Sequence, residues 1–159
     1  MNPRIEIITQ RKLVGIRKEM TFAQNTTGKL WQSFMPRRNE IQNNTSNDLF
    51  SLQNYPTGFF DTFNPHLEFE KWACIEVSDL NSIPEGMEQL TLSEGLYAVF
   101  FYKGAASAAT PTFQYIMGTW LPQSIYRLDQ RPHFEILGEK YKNESPDSEE
   151  EIWIPIMLK

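Results

Sequence analysis

Two stretches of this chain repeat one plan, and that repetition restricts the fold more than any other feature. Leu13–Thr21 parallels Leu96–Gly104. Leu30-Trp-Gln-Ser-Phe-Met-Pro36 parallels Ile116-Met-Gly-Thr-Trp-Leu-Pro122. In each copy an alternating apolar run is followed by a helix-compatible stripe ending in proline. A helix-interior proline lacks its N–H and clashes with the preceding turn, so each helix is expected to break or stop there.

Taken in order, Arg4–Thr9 and Leu13–Thr21 read as two antiparallel strands joined by a short turn. Thr26 or Thr27 offers an N-cap for a helix carrying Leu30, Phe34 and Ile41 on one stripe. Arg37–Gln42 continues it beyond Pro36, and Asn43–Asp48 has the composition of a turn-forming loop. Leu49–Asn54 and Lys71–Ser78 are the third and fourth strands, joined by an aromatic connection, Phe59–Phe69. Asp79–Met87, with Pro84 and Gly86, is a linker. The plan then restarts: Met87–Leu92, Leu96–Gly104, a helix opening at Thr110-Pro111, and last strands at Arg131–Gly138 and Glu151–Leu158. The chain is thus one domain over 1–159, with pseudo-repeats at 1–80 and 86–159. Each repeat reads strand–strand–helix–strand–strand. The fold class is α+β: the two units pool their strands in one antiparallel sheet with both main helices on a common face. A groove between those helices is the natural ligand site.

Composition narrows the function. With 159 residues, 40% apolar and 13% aromatic, the chain can bury a substantial core. A net charge of −5, with basic pairs short and interrupted by acids, argues against a nucleic-acid surface. The single cysteine, Cys74, cannot form an internal disulfide and reads as a buried thiol in a strand. The N-terminus shows no signal-like apolar region, and no apolar run has membrane-spanning length, so a cytoplasmic protein without membrane contact is expected. His66 and His133 with one cysteine make no convincing zinc set, and the acidic segment Glu144–Glu151 lacks the spacing of a calcium loop. No metal or cofactor is expected. Phosphate loops, nucleophile elbows and paired-histidine metal motifs are absent.

Glu135 is the focal candidate. It stands in His133-Phe-Glu-Ile-Leu137, where alternation puts Phe134 and Ile136 on one face and Glu135 and Leu137 on the other. Two placements remain open: an outward-facing carboxylate in water, or a carboxylate lining the groove. In the groove, desolvation raises its pKa unless a cation or hydrogen bonds compensate, which suits it to hold a cationic ligand or act as a general base. Its counterpart in the first copy is Ser51. Trp120 and Phe34 end their helices and are candidate flanking groups; Tyr55, Tyr97, Phe101 and Tyr126 are further candidates for ligand stacking.

Leu96-Tyr-Ala-Val-Phe-Phe-Tyr-Lys-Gly104, the helix end Trp120-Leu-Pro122, Tyr126-Arg-Leu-Asp-Gln-Arg-Pro-His-Phe-Glu135 and Glu151-Ile-Trp-Ile-Pro-Ile156 occur in the order and spacing of a known bacterial family. Trp72-Ala-Cys-Ile-Glu-Val77 and Leu30-Trp31 match less specifically. The chain resembles the GyrI-like, or AraC-type, effector-binding domains. That resemblance implies an eight-stranded antiparallel sheet, two helices, and a central cleft for small, often cationic or aromatic molecules. It implies that Glu135 matches the glutamate of the family's cleft. Some members of the family are fused to DNA-binding domains in drug-responsive transcription regulators; others stand alone. The expected function is stand-alone small-molecule binding, with a separate regulator or protein target as a further partner and no direct nucleic-acid contact. The alternatives are a hydrolase using Glu135 as general base, and a protein-interaction module of gyrase-inhibitor type.

Overall fold

A computed structural model describes all residues, 1–159. The alternating runs form nine strands: β1 Arg4–Ile8, β2 Arg11–Met20, β3 Leu49–Asn54, β4 Phe69–Val77, β5 Glu88–Leu92, β6 Gly95–Lys103, β7 Tyr126–Leu128, β8 His133–Leu137 and β9 Glu149–Leu158. Two helices, α1 Thr27–Phe34 and α2 Thr110–Tyr115, lie among them. All pairings are antiparallel, in the order β1-β6-β9-β8-β3-β4-β2-β5. The sheet has nine strands rather than eight because β7, a three-residue strand, adds to the end of β9. So short a run carries too little alternation to announce itself in the sequence.

The strand order reads the same from either end when each strand is exchanged for its counterpart. Ser51 and Glu135 face each other at the centre, where β3 pairs with β8. The row Arg4–Val99–Trp153–Phe134 in one half corresponds to Glu88–Gly15–Cys74–Phe50 in the other.

The first two strands depart from expectation. β1 does not pair with β2; it pairs with β6, and β5 pairs with β2. A two-residue hairpin loop needs glycine, asparagine or aspartate to reach positive φ, and Thr9-Gln10 offers none of these. The halves therefore exchange their first strands. Because Ile8 and Arg11 are three residues apart, their separation cannot exceed about 11 Å. That short link draws the two ends of the sheet together and curls it. Inside the curl lies a core of Ile8, Leu13, Phe50, Leu52, Trp72, Tyr97, Phe134 and Trp153, among others. Trp153 stacks on Phe134 at 5.3 Å between ring centroids.

The opposite face carries the helices. Leu30 and Phe34 of α1 bury against Val14, Ala73 and Ile75. Asn25 Oδ1 accepts a hydrogen bond from the backbone N–H of Thr27, while the Thr26 hydroxyl makes no cap bond and is buried without a partner. From Met35 to Glu40 the chain tightens to a 3₁₀ helix, with Pro36 in its first turn, where the missing N–H is not needed. The second helix buries Ile116 and Leu121 against Ala98, Phe100 and Ile154. It widens to a π turn over Ile116–Trp120 and ends one turn later, after Pro122. No helix is long and apolar enough to cross a membrane.

Candidate functional site

Between the two helices the sheet is left uncovered, and a cleft of about 1520 Å³ opens there. Its floor comes from the four central strands. Leu49 and Ser51 of β3, Lys71 and Ile75 of β4, Glu135 and Leu137 of β8 and Glu150 of β9 line it. Trp31 stands on the α1 side and Phe113 on the α2 side; Tyr141 closes one end from the loop before β9. Ser51 is what makes room at the centre. Where the second half has a glutamate, the first half has a side chain too small to fill the axis.

Glu135 occupies that centre. It is half-buried: protein packs around it, but its carboxylate meets the cleft. Gln53 Nε2 donates a 3.3 Å hydrogen bond to Glu135 Oε1. Desolvation raises the Glu135 pKa, with Lys71 and the Gln53 hydrogen bond pulling in the other direction. Lys71 and Glu150 hold counterpart places: each stands two residues before the partner of Ser51 or Glu135, namely Ala73 and Ile152. Desolvation, and then the charge on Glu135, push Glu150 up to about 7, against the pull of Lys71. Burial lowers the Lys71 pKa, partly offset by Glu135 and Glu150. Around the whole cleft, Asp48, Glu135, Glu139, Glu144 and Glu150 stand against Arg38 and Lys71. The excess is negative, and a recess with low-dielectric walls concentrates that field.

Of the residues singled out from the sequence, Glu135 lines this cleft. The other six stand elsewhere. Tyr55 belongs to an adjoining aromatic cluster, 4.6 Å from Phe59 and 4.9 Å from His133 between ring centroids, where its phenol still feels the charge of Glu135. Phe34 is fully buried beneath α1. Trp120 turns away from the cleft, edge-on to Phe100 and stacked over Tyr126. Tyr97 is buried on the opposite face of the sheet, where its hydroxyl donates to the Pro132 carbonyl at 2.7 Å. Phe101 is 54% exposed at the outer end of β6. The aromatic groups that do line the cleft are Trp31, Phe113 and Tyr141.

Lys71 and Glu150 were not singled out from the sequence, although it carried a signal for them. Each shares strand parity with buried apolar neighbours, Ala73 and Ile75 in one case, Ile152 and Ile154 in the other. A charged residue on the buried side of a strand marks a polar site on that face.

Comparison with known proteins agrees with this architecture. Residues 1–157 match the profile of the GyrI-like small molecule binding domain. The transcriptional regulator BrlR of Pseudomonas aeruginosa is 27% identical over 145 residues, which is 91% of this chain and 51% of BrlR. The chain thus spans about half the length of that relative. The structure of SAV2435 bound to tetraphenylphosphonium superposes with a TM-score of 0.75 at 17% identity, covering 99% of this chain and 94% of the other. A chain of the EcmrR–DNA complex superposes with a TM-score of 0.75 at 14% identity, covering 99% of this chain and 58% of the other. At such identities the two structures speak for the fold alone. With the profile matched over nearly the full length, the chain belongs to the GyrI-like small molecule binding domain family.

Proposed function

We propose that this protein binds small aromatic cations in the cleft between its helices, with Glu135 as the counter-charge. The observation that carries the reading is a half-buried carboxylate at the floor of an acidic cleft whose walls present Trp31, Phe113 and Tyr141. A desolvated carboxylate gains most from a cation that can shed its own water cheaply, and a delocalised or shielded aromatic cation does so. The aromatic walls add stacking and cation–π contacts of about 0.5–2 kcal/mol each. SAV2435, which shares the fold, is bound to tetraphenylphosphonium, a cation of this class.

The test is calorimetric titration of tetraphenylphosphonium into wild type and Glu135→Gln. Loss of a charge-assisted contact is worth about 1.5–3 kcal/mol, so the variant is expected to bind roughly 10- to 100-fold more weakly. Equal affinities would remove Glu135 from the account.

A second expectation concerns pH. Cation binding favours the ionised form of a nearby carboxyl, so affinity must rise as that group loses its proton. With Glu150 held at about 7, tetraphenylphosphonium affinity is expected to climb several-fold between pH 6 and 8 and then level off. Glu150→Gln should flatten the profile over that range. A wild-type profile already flat there would show that Glu150 does not contribute to the cation's field.

A further inference from the structure

A simple cation site has no use for Lys71. The residue is 6% exposed, yet its side chain lines the cleft beside Glu135 and Glu150. It takes part in none of the ion pairs of the structure, so neither carboxylate lies within direct pairing distance. It makes no side-chain hydrogen bond, whereas its neighbour Gln53 is committed to Glu135. An ammonium carries three donors. Here those donors open onto the ligand space rather than onto protein acceptors.

An arriving cation changes the balance of charge on the floor. The floor holds two carboxylates and one ammonium, and Glu150 is only partly ionised near neutral pH. A ligand cation on Glu135 takes the counter-charge that Lys71 shares and leaves two positive groups in one recess. A ligand bringing its own anion resolves that conflict. The geometry sets its scale: Glu135 is opposite Ser51 of β3 while Lys71 is opposite Gln53, so the two backbones stand two strand spacings and two residues apart, about 12 Å at ~4.8 Å per strand and ~3.4 Å per residue. That is the width of a fused aromatic system.

We infer that Lys71 forms an anion subsite, so that the cleft selects zwitterionic aromatic ligands, with a cationic centre at Glu135 and a carboxylate at Lys71, over simple aromatic cations. This rests on the reading of Glu135 as the cation's partner. The groups facing the subsite are Glu135 from β8, Glu150 from β9 and Tyr141 from the preceding loop.

The experiment uses the full chain at pH 8 and two probes with the same xanthylium cation, a rhodamine bearing a free carboxyl and its ethyl ester. Fluorescence anisotropy gives both affinities. Wild type is expected to bind the free acid roughly tenfold more tightly, the worth of one charge-assisted contact. Lys71→Met should reverse the order, weakening the acid and strengthening the ester, while Lys71→Arg keeps the acid preferred. Wild type showing no preference overturns the inference without any variant. So does an unchanged preference in folded Lys71→Met or, if that variant does not fold, in Lys71→Gln. The two readings separate in Glu135→Gln: undiminished binding of both probes there means the cation site itself has failed. Loss of both in that variant, with no effect of Lys71, means that only the anion subsite has failed.

Discussion

Gly15→Ala will cost this protein a large part of its stability. Gly15 sits inside β2, paired with Cys74 on one side and Glu88 on the other. A Cβ built there falls 2.0 Å from the Ala73 carbonyl oxygen and 2.6 Å from Cys74 Cα. Those neighbours are backbone, and they cannot swing aside as the end of a long side chain can. Relief requires β2 and β4 to move apart, across a register of nine residue pairs from Lys12–Val77 to Met20–Phe69. A backbone clash of this kind belongs with the most damaging substitutions, about 3–5 kcal/mol. For a chain of this size each kcal/mol lowers the melting midpoint by roughly 2–4 °C, so a drop of roughly 6–20 °C is expected. Thermal melting followed by circular dichroism measures it directly. Gly118→Ala is the control: nothing lies within 4 Å of a Cβ placed at that position, and alanine is the better helix former by about 1 kcal/mol. Equal midpoints for wild type and Gly15→Ala would contradict the close approach of β2 and β4.

The second large effect is expected at Phe134, the immediate neighbour of Glu135. Phe134 is fully buried, stacked on Trp153 with an interplanar angle of 15° and lying 5.5 Å from Phe50 and 5.2 Å from Tyr97. These rings come from strands of both halves, so removing the central one opens a cavity that neither half can close alone. Phe134→Ala is expected to lose about 3–5 kcal/mol. In urea this appears as a lower midpoint with little change in slope, since the same surface is exposed on unfolding. The side chain points into the curl, away from the cleft. Tetraphenylphosphonium affinity, measured well below the unfolding transition, should therefore remain near wild type. Large losses of both stability and affinity would mean that the inner core and the cleft are coupled through the sheet. Together with Glu135→Gln, the experiment separates the two faces of one strand.

That separation also marks where sequence reasoning stops. Alternation in His133-Phe-Glu-Ile-Leu137 established that Phe134 and Glu135 lie on opposite faces, because successive strand side chains must. It could not say which face the helices cover, since both faces of this sheet bury apolar residues. The helix stripe was similarly half legible. Spacing put Leu30 and Phe34 on the buried side of α1, and Trp31, one position round the helix, fell to the rim of the cleft. In the second copy the π turn over Ile116–Trp120 accommodates an extra residue per turn and rotates the residues beyond it. Leu121 therefore takes the buried place that Phe34 holds in α1, and Trp120 packs against Phe100 and Tyr126.

By itself the sequence determined the repeated plan, the elements to within a few residues and the family resemblance, and it singled out Glu135 without deciding which face of the sheet carries it. These depend on period, turn residues and local order, which are written along the chain. Only the tertiary structure decided the exchange of β1 and β5, the short added strand β7, and the meeting of Lys71, Glu135 and Glu150 on one floor. Strand pairing across two halves is a choice among distant edges, made by whichever arrangement buries the inner aromatic core, and no local pattern records that choice.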